Sequence, residues 1–146
     1  MALSAATVWE VRTSGIATSG GGFVTGASGT DFSQQDAAQV TYTDLVIDGV
    51  DNTKVTSAAF PFGATHPGNI INITSGTGFT TGRYQVVSVA ATVATLDRAV
   101  GTVGSTGGNG KLGGALDLLS TADDSAVAGN TVFVKNPVYG QKSDFL

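Results

Sequence analysis

Cysteine is absent from the chain, which removes disulfides and thiolate chemistry and leaves the redox compartment open. Histidine occurs once, as His66, and one histidine without a matched serine, cysteine or second histidine assembles neither a triad nor a zinc site. Glutamate also occurs once, as Glu10, and the aspartates fall mostly in turns. No pair of carboxylates therefore stands out for glycoside cleavage, which needs two at a fixed separation. Charged residues make up only 12% of the sequence, about half the usual share. The lysines and arginines are scattered singly under a net charge of −4, so the clustered basic footprint of a nucleic-acid binder is missing. No apolar run approaches a membrane span, and the opening MALSAATVWEVR lacks a basic region followed by a long apolar core. The expectation is a soluble product made in the cytoplasm, with no nucleic-acid or membrane partner and no cofactor.

What is present is a succession of short β-type runs cut by glycine, in a chain of 146 residues that suits one core. The composition and patterning predict an all-β fold, a compact antiparallel β-sandwich or barrel-like module. It should carry a long N-terminal arm, one short helix and an extended C-terminal tail. The division expected is residues 1–38 as an N-terminal strand and extended arm, 39–135 as the β core and 136–146 as the tail. Thr7 to Arg12 alternates as a short strand, and Gln39 to Ala59 reads as a hairpin joined by DGVDN. Further strands are predicted near Asn69 to Thr74, Arg83 to Val89, Ala94 to Val100 and Asn130 to Lys135, paired with their sequence neighbours. Thr13 to Asp36 and Gly101 to Gly114 are glycine-rich and show no periodic apolar face. ALDLLSTADDSAVAG is the one helical candidate, with Thr121, Asp123 and Asp124 as capping residues and Gly129 as its end.

Most candidate sites have an ordinary explanation. Asp48, Asp51 and Asn52 carry oxygen ligands, but their spacing fits a turn rather than a calcium loop. His66, before Pro67, reads as a surface or loop residue. Gly20 to Gly22 has no phosphate-loop context and reads as a flexible joint. Asp97 and Arg98 would point to opposite strand faces and pair across strands or subunits. The residues left over are apolar anchors in unpatterned segments: Trp9, Phe23, Val24 and Phe32 near the start, and Val138, Tyr139, Phe145 and Leu146 at the end. These need a surface to dock on, and interface anchoring is their expected role.

Four sequence blocks carry a resemblance: ALSAATVWEVRTSG, GGGFVTGASGTDFSQQDAAQ, TGRYQVVSVAATVATLDRAVGT, and LGGAL with AVAGNTVFVK. Together they resemble the leading region of bacteriophage structural proteins that continue into a parallel β-helix, as tail spikes do. The chain ends about ten residues past NTVFVK, so the resemblance implies the attachment module without the β-helix. Such a module is similar to a capsid decoration, or cement, protein: a homotrimer on the virion surface that bridges neighbouring major capsid subunits, with no enzymatic activity. On that reading Ser14 to Asp36 and Pro137 to Leu146 lie on adjacent subunits. The alternative is a tail-associated receptor- or glycan-binding module using Tyr42, Phe79 and Tyr84 as exposed aromatics.

Overall fold

The computed structural model describes residues 3–135 as an all-β fold with one short helix. Nine strands form two sheets: β1 (Thr7–Val11), β2 (Gly22–Val24), β3 (Val40–Ile47), β4 (Lys54–Thr56), β5 (Ile70–Ser75), β6 (Gly82–Ala90), β7 (Val93–Leu96), β8 (Gly108–Leu112) and β9 (Thr131–Val134). Six of them close into a barrel in the order β3-β4-β7-β6-β5-β8, every pair antiparallel. The other three form a small sheet in the order β2-β1-β9.

Alternation builds the barrel. In β3 the side chains of Tyr42, Leu45 and Ile47 turn inward, joined by Val55 of β4, Ile71 and Ile73 of β5, Tyr84 and Val86 of β6, Leu96 of β7 and Leu112 of β8. Period-two patterning with branched and aromatic residues on one face is what a closed sheet needs to fill its interior. Closure also leaves these strands no free edge.

Two strands lie in segments that the pattern left blank. β8, GNGKL, sits inside the glycine-rich stretch and inserts between β3 and β5. Its glycines let neighbours approach: a Cβ on Gly108 would lie 2.5 Å from the ring of Phe79. β2, GFV, is only three residues long and borrows its order from β1.

The expected arm is laid on its own chain. The N–H groups of Gly20 and Gly21 donate to the carbonyls of Gly113 and Gly114, Gly114 donates to Phe32, and Ala115 to Gln35, all within 2.7–2.9 Å. Gly20 to Gly22 is a close-packed seam rather than a flexible joint, because a Cβ on Gly20 would stand 1.9 Å from the Ile70 carbonyl oxygen. The physical reason is that backbone polar groups in a long loop must be paired, and here the partners come from residues 113–116 of the same chain.

The helix α1 (Leu119–Ser125) also differs from expectation. Leu118 is its N-cap and makes no side-chain cap bond. Asp123 and Asp124 fall in its last turn, where they cannot accept from the first amides, and the helix ends at Ser125 rather than at Gly129. Gly129, at φ +93°, instead shapes the turn into β9.

β1 and β9 pair in parallel, Val8 with Thr131 through Val11 with Val134. Their inner faces, with Leu3, Ile70, Leu116 and Ala122, enclose Trp9 and Val11 in a second, smaller core. The indole N–H of Trp9 donates to Asn130 Oδ1 at 2.8 Å, tying the two ends of the sheet together.

Candidate interaction surface

Exposed apolar residues stand out at three places, around Phe60, Phe133 with Leu118, and Val50, besides Ile16, Val87 and Val103, which are also exposed. The first is the turn Ala58-Ala59-Phe60-Pro61, all four exposed. β3 shifts register against β8 between Tyr42 and Leu45, and Asp44 sits in that irregularity. Its carboxylate accepts from the Ser57 hydroxyl at 2.6 Å and from the N–H groups of Ala58 and Ala59 at 2.9 and 2.8 Å. Ser57 Oγ in turn accepts from the Phe60 N–H at 3.0 Å. These bonds, the Ser57 hydroxyl foremost, hold the Asp44 carboxyl below its ordinary pKa.

Phe60 stands 51% exposed at the end of an aromatic column. Its ring meets Tyr42 edge-on at 6.5 Å, Tyr42 stacks on Phe62 at 5.0 Å, and His66 meets both Phe62 and Phe32 edge-on. His66 is thus a buried loop residue rather than a surface one, and Nδ1 accepts from the Gly63 N–H at 3.3 Å. Burial lowers its pKa, which keeps the ring neutral and suits an aromatic stack. Burial likewise pushes the Tyr42 hydroxyl above its ordinary range.

The second place is the outer strand of the small sheet. β9 pairs with β1 on one side, and among the described residues no strand covers its other edge. Val132 and Val134 pack inward, while Phe133 faces outward and is 53% exposed. On the opposite face of the strand, a hollow of about 460 Å³ lies between α1 and β9, lined by Leu119, Ser120, Asp123 and Val132. Leu118 is exposed at the start of the helix.

The third is the β3–β4 turn. Asp48 accepts from the N–H groups of Val50 and Asp51 at 2.9 and 3.0 Å, and Asp51 accepts from the Thr53 hydroxyl and N–H at 2.6 and 3.0 Å. The turn reading of Asp48 and Asp51 is what the geometry displays. The Thr53 bonds and Lys54, 3.0 Å away, lower the Asp51 pKa to about 2. Val50 is 92% exposed at the tip.

The anchors expected at an interface lie elsewhere. Trp9, Phe23, Val24 and Phe32 are buried against their own chain, so the surface on which they dock is this protein's own barrel and small sheet. Val138, Tyr139, Phe145 and Leu146 lie outside the described residues. Tyr42 and Tyr84 are buried in the barrel and Phe79 packs against its core, so they offer no exposed platform for a sugar. Asp97 and Arg98 pair with each other at 2.7 Å, both following β7 where the strand geometry has ended, and each also bonds across to β6: Asp97 accepts from the Gln85 N–H at 2.8 Å and Arg98 donates to the Arg83 carbonyl at 2.5 Å. Sequence reading missed Phe60, Phe133, Leu118 and Val50. The run AAFPF around Phe60 carries a signal, because Pro61 bars it from the interior of a central strand and so points to a turn at Phe60.

Among the described residues no three of histidine, cysteine, aspartate and glutamate come together as a metal site. No helix among them is long and apolar enough to cross a membrane. No family model, curated protein or solved structure matches this chain.

Proposed function

We propose that this protein is a virion structural subunit, a capsid decoration protein that assembles as a homotrimer and bridges neighbouring major capsid subunits. One observation carries the reading: the edge of β9 that no described strand covers, with half-exposed Phe133 on the strand's outer face. A free strand edge presents a row of main-chain donors and acceptors that pairs readily with another chain. An aromatic residue beside it supplies an anchor of the kind that dominates binding energy. The sparsely charged surface adds little repulsion between copies. The resemblance of the four sequence blocks to bacteriophage attachment modules supplies the biological setting.

Because the N-terminal arm is folded into its own chain, the bridging contacts move to β9 and to the Asp44-held turn. Many weak contacts of this type gain strength when three copies present them together.

The test is the mass of the full chain in solution by light scattering, with and without empty capsid shells. The expected result is a species of three times 14.6 kDa that sediments with the shells. Phe133→Asp should shift the mass toward the single chain while the circular dichroism spectrum is retained. A monomer indifferent to capsids overturns the proposal.

A further inference from the structure

A hollow of about 490 Å³ flanks the barrel where β6 and the residues after β7 face α1. Two of the three arginines in the chain, Arg83 and Arg98, line it together with Ser125, Asp124, Leu3 and Val127. Gly82, the first residue of β6, is also on its wall at φ +144°, a backbone conformation that keeps a side chain out of the opening.

The two guanidinium groups are held in different ways. Arg83 Nε donates to the Gly20 carbonyl at 3.1 Å, Nη2 to those of Ala17 and Ser19 at 2.7 and 3.1 Å, and Nη1 to Ser125 Oγ at 3.2 Å. These partners are all neutral. Among the described residues no carboxylate lies within ion-pairing distance of Arg83, and one Nη1 hydrogen remains unused. Burial lowers its pKa, the mark of a cation taken out of water without a counter-ion.

Arg98 lies over the Tyr84 ring, 4.0 Å from its centroid. Its Nη1 pairs with Asp97 Oδ2 at 2.7 Å and its Nη2 donates to the Arg83 carbonyl at 2.5 Å, so Nε is left without a partner among the described residues. The other Asp97 oxygen is taken by the Gln85 N–H at 2.8 Å. Of the two fixed cations, Arg98 is therefore paired with a carboxylate and Arg83 is not. Asp124, in the last turn of α1, is exposed on the wall and pairs with neither arginine.

We propose that this hollow binds a small hydroxylated monocarboxylate of the uronate type. Its carboxylate would take the unused donors of Arg83 and Arg98, since a guanidinium's planar fork matches a carboxylate. Leu3 and Val127 would cover its apolar face, and Asp124 would accept its hydroxyl hydrogens. Asp124 also disfavours a doubly charged phosphate, whose second charge it would repel.

The experiment titrates the full chain with sodium glucuronate at constant ionic strength, following the arginine Nε–Hε resonances by NMR. Glucose, the same ring without the carboxylate, and inorganic phosphate are the comparison probes. The expected result is saturable movement of the Arg83 and Arg98 signals with glucuronate and none with glucose. Arg98→Gln should weaken binding about tenfold or more, the worth of one charge-assisted hydrogen bond. Should Arg98→Gln fail to fold, Val127→Glu at a partly exposed position on the wall keeps the test intact, because a carboxylate placed there must repel glucuronate and abolish the saturable movement. The absence of saturation at concentrations on the order of 10 mM, or phosphate binding as tightly as glucuronate, overturns the proposal.

Discussion

The barrel and the three-stranded sheet solve the problem of strand edges in opposite ways. In the barrel each strand has two neighbours, and the core is filled by side chains drawn from all six. The small sheet joins residues from the two ends of the described chain, and among the described residues no strand covers its β9 edge. Its core even borrows Ile70 from barrel strand β5. The barrel is therefore the self-sufficient unit, and the sheet depends on it. The same difference separates stability from interaction, because an uncovered edge is what a second chain can use.

The sharpest way to break this comparison is to empty the barrel. Ile73→Ala removes a buried branched side chain from a closed interior with little freedom to collapse, and should cost about 2–5 kcal/mol by urea denaturation. All protected amides, those of β1 and β9 included, should then exchange faster together. Trp9→Ala should instead release β1 and β9 first while the barrel amides stay protected. If Trp9→Ala unfolds the barrel equally, the two regions are one cooperative unit and the hierarchy is wrong.

The seam between the regions should respond less strongly. Asn69, fully buried, accepts from the Phe32 N–H at 2.9 Å and donates to the carbonyls of Thr30 at 2.7 Å and His66 at 3.1 Å. It ties the glycine-rich arm to the barrel. Asn69→Leu keeps the branched shape but takes the side-chain partner from the Phe32 N–H and the Thr30 carbonyl, while the His66 carbonyl retains the residue-69 N–H, at a cost of about 1–3 kcal/mol. Hydrogen exchange should place the loss on residues 30–33 and 65–68, with the barrel strands unchanged. Equal deprotection of β3 and β8 would mean that the arm supports the barrel rather than resting on it.

The barrel was the legible part of this molecule and the seam was not. Alternation in VTYTDLVI and GRYQVVSV signals strands directly, since period two follows from the pleat. β8 has the sequence GNGKL, where glycines stand in for the pattern because Phe79 and Leu45 fill the space that side chains would occupy. The pairing of β1 with β9 spans more than a hundred residues, and no local signal encodes a partner so distant. Phe23 and Phe32 looked like anchors for a neighbour because their own docking surface is assembled from residues far away in sequence. Phe133 was harder still. Its strand was predicted, but which face looks outward depends on the core around Trp9, which appears only once the ends have met.

The smallest expected effect, and the one that best isolates the exposed turns from the barrel, comes from acid. Asp51 and Asp44 both have folded-state pKa values below the ordinary 3.8, that of Asp51 at about 2. A lowered carboxylate pKa contributes stability that is fully present above the unfolded value and is lost as pH falls through the folded one. For Asp51 that window runs from 3.8 down to about 2. Both groups lie at the surface, where solvent screens their interactions, so the loss should stay local. Carboxyl NMR titration should give Asp51 a midpoint near 2, accompanied by movement of the Val50 and Thr53 amides and, as Asp44 is protonated, of Ala58 and Ala59. The barrel amides should hold their positions across the same range. Asp51→Asn should remove the Thr53 response and leave the denaturant midpoint of the barrel unchanged. Simultaneous movement of the barrel amides with the turns would show that the surfaces assigned to interaction are also structural, and the separation between the closed barrel and its exposed contacts would fall.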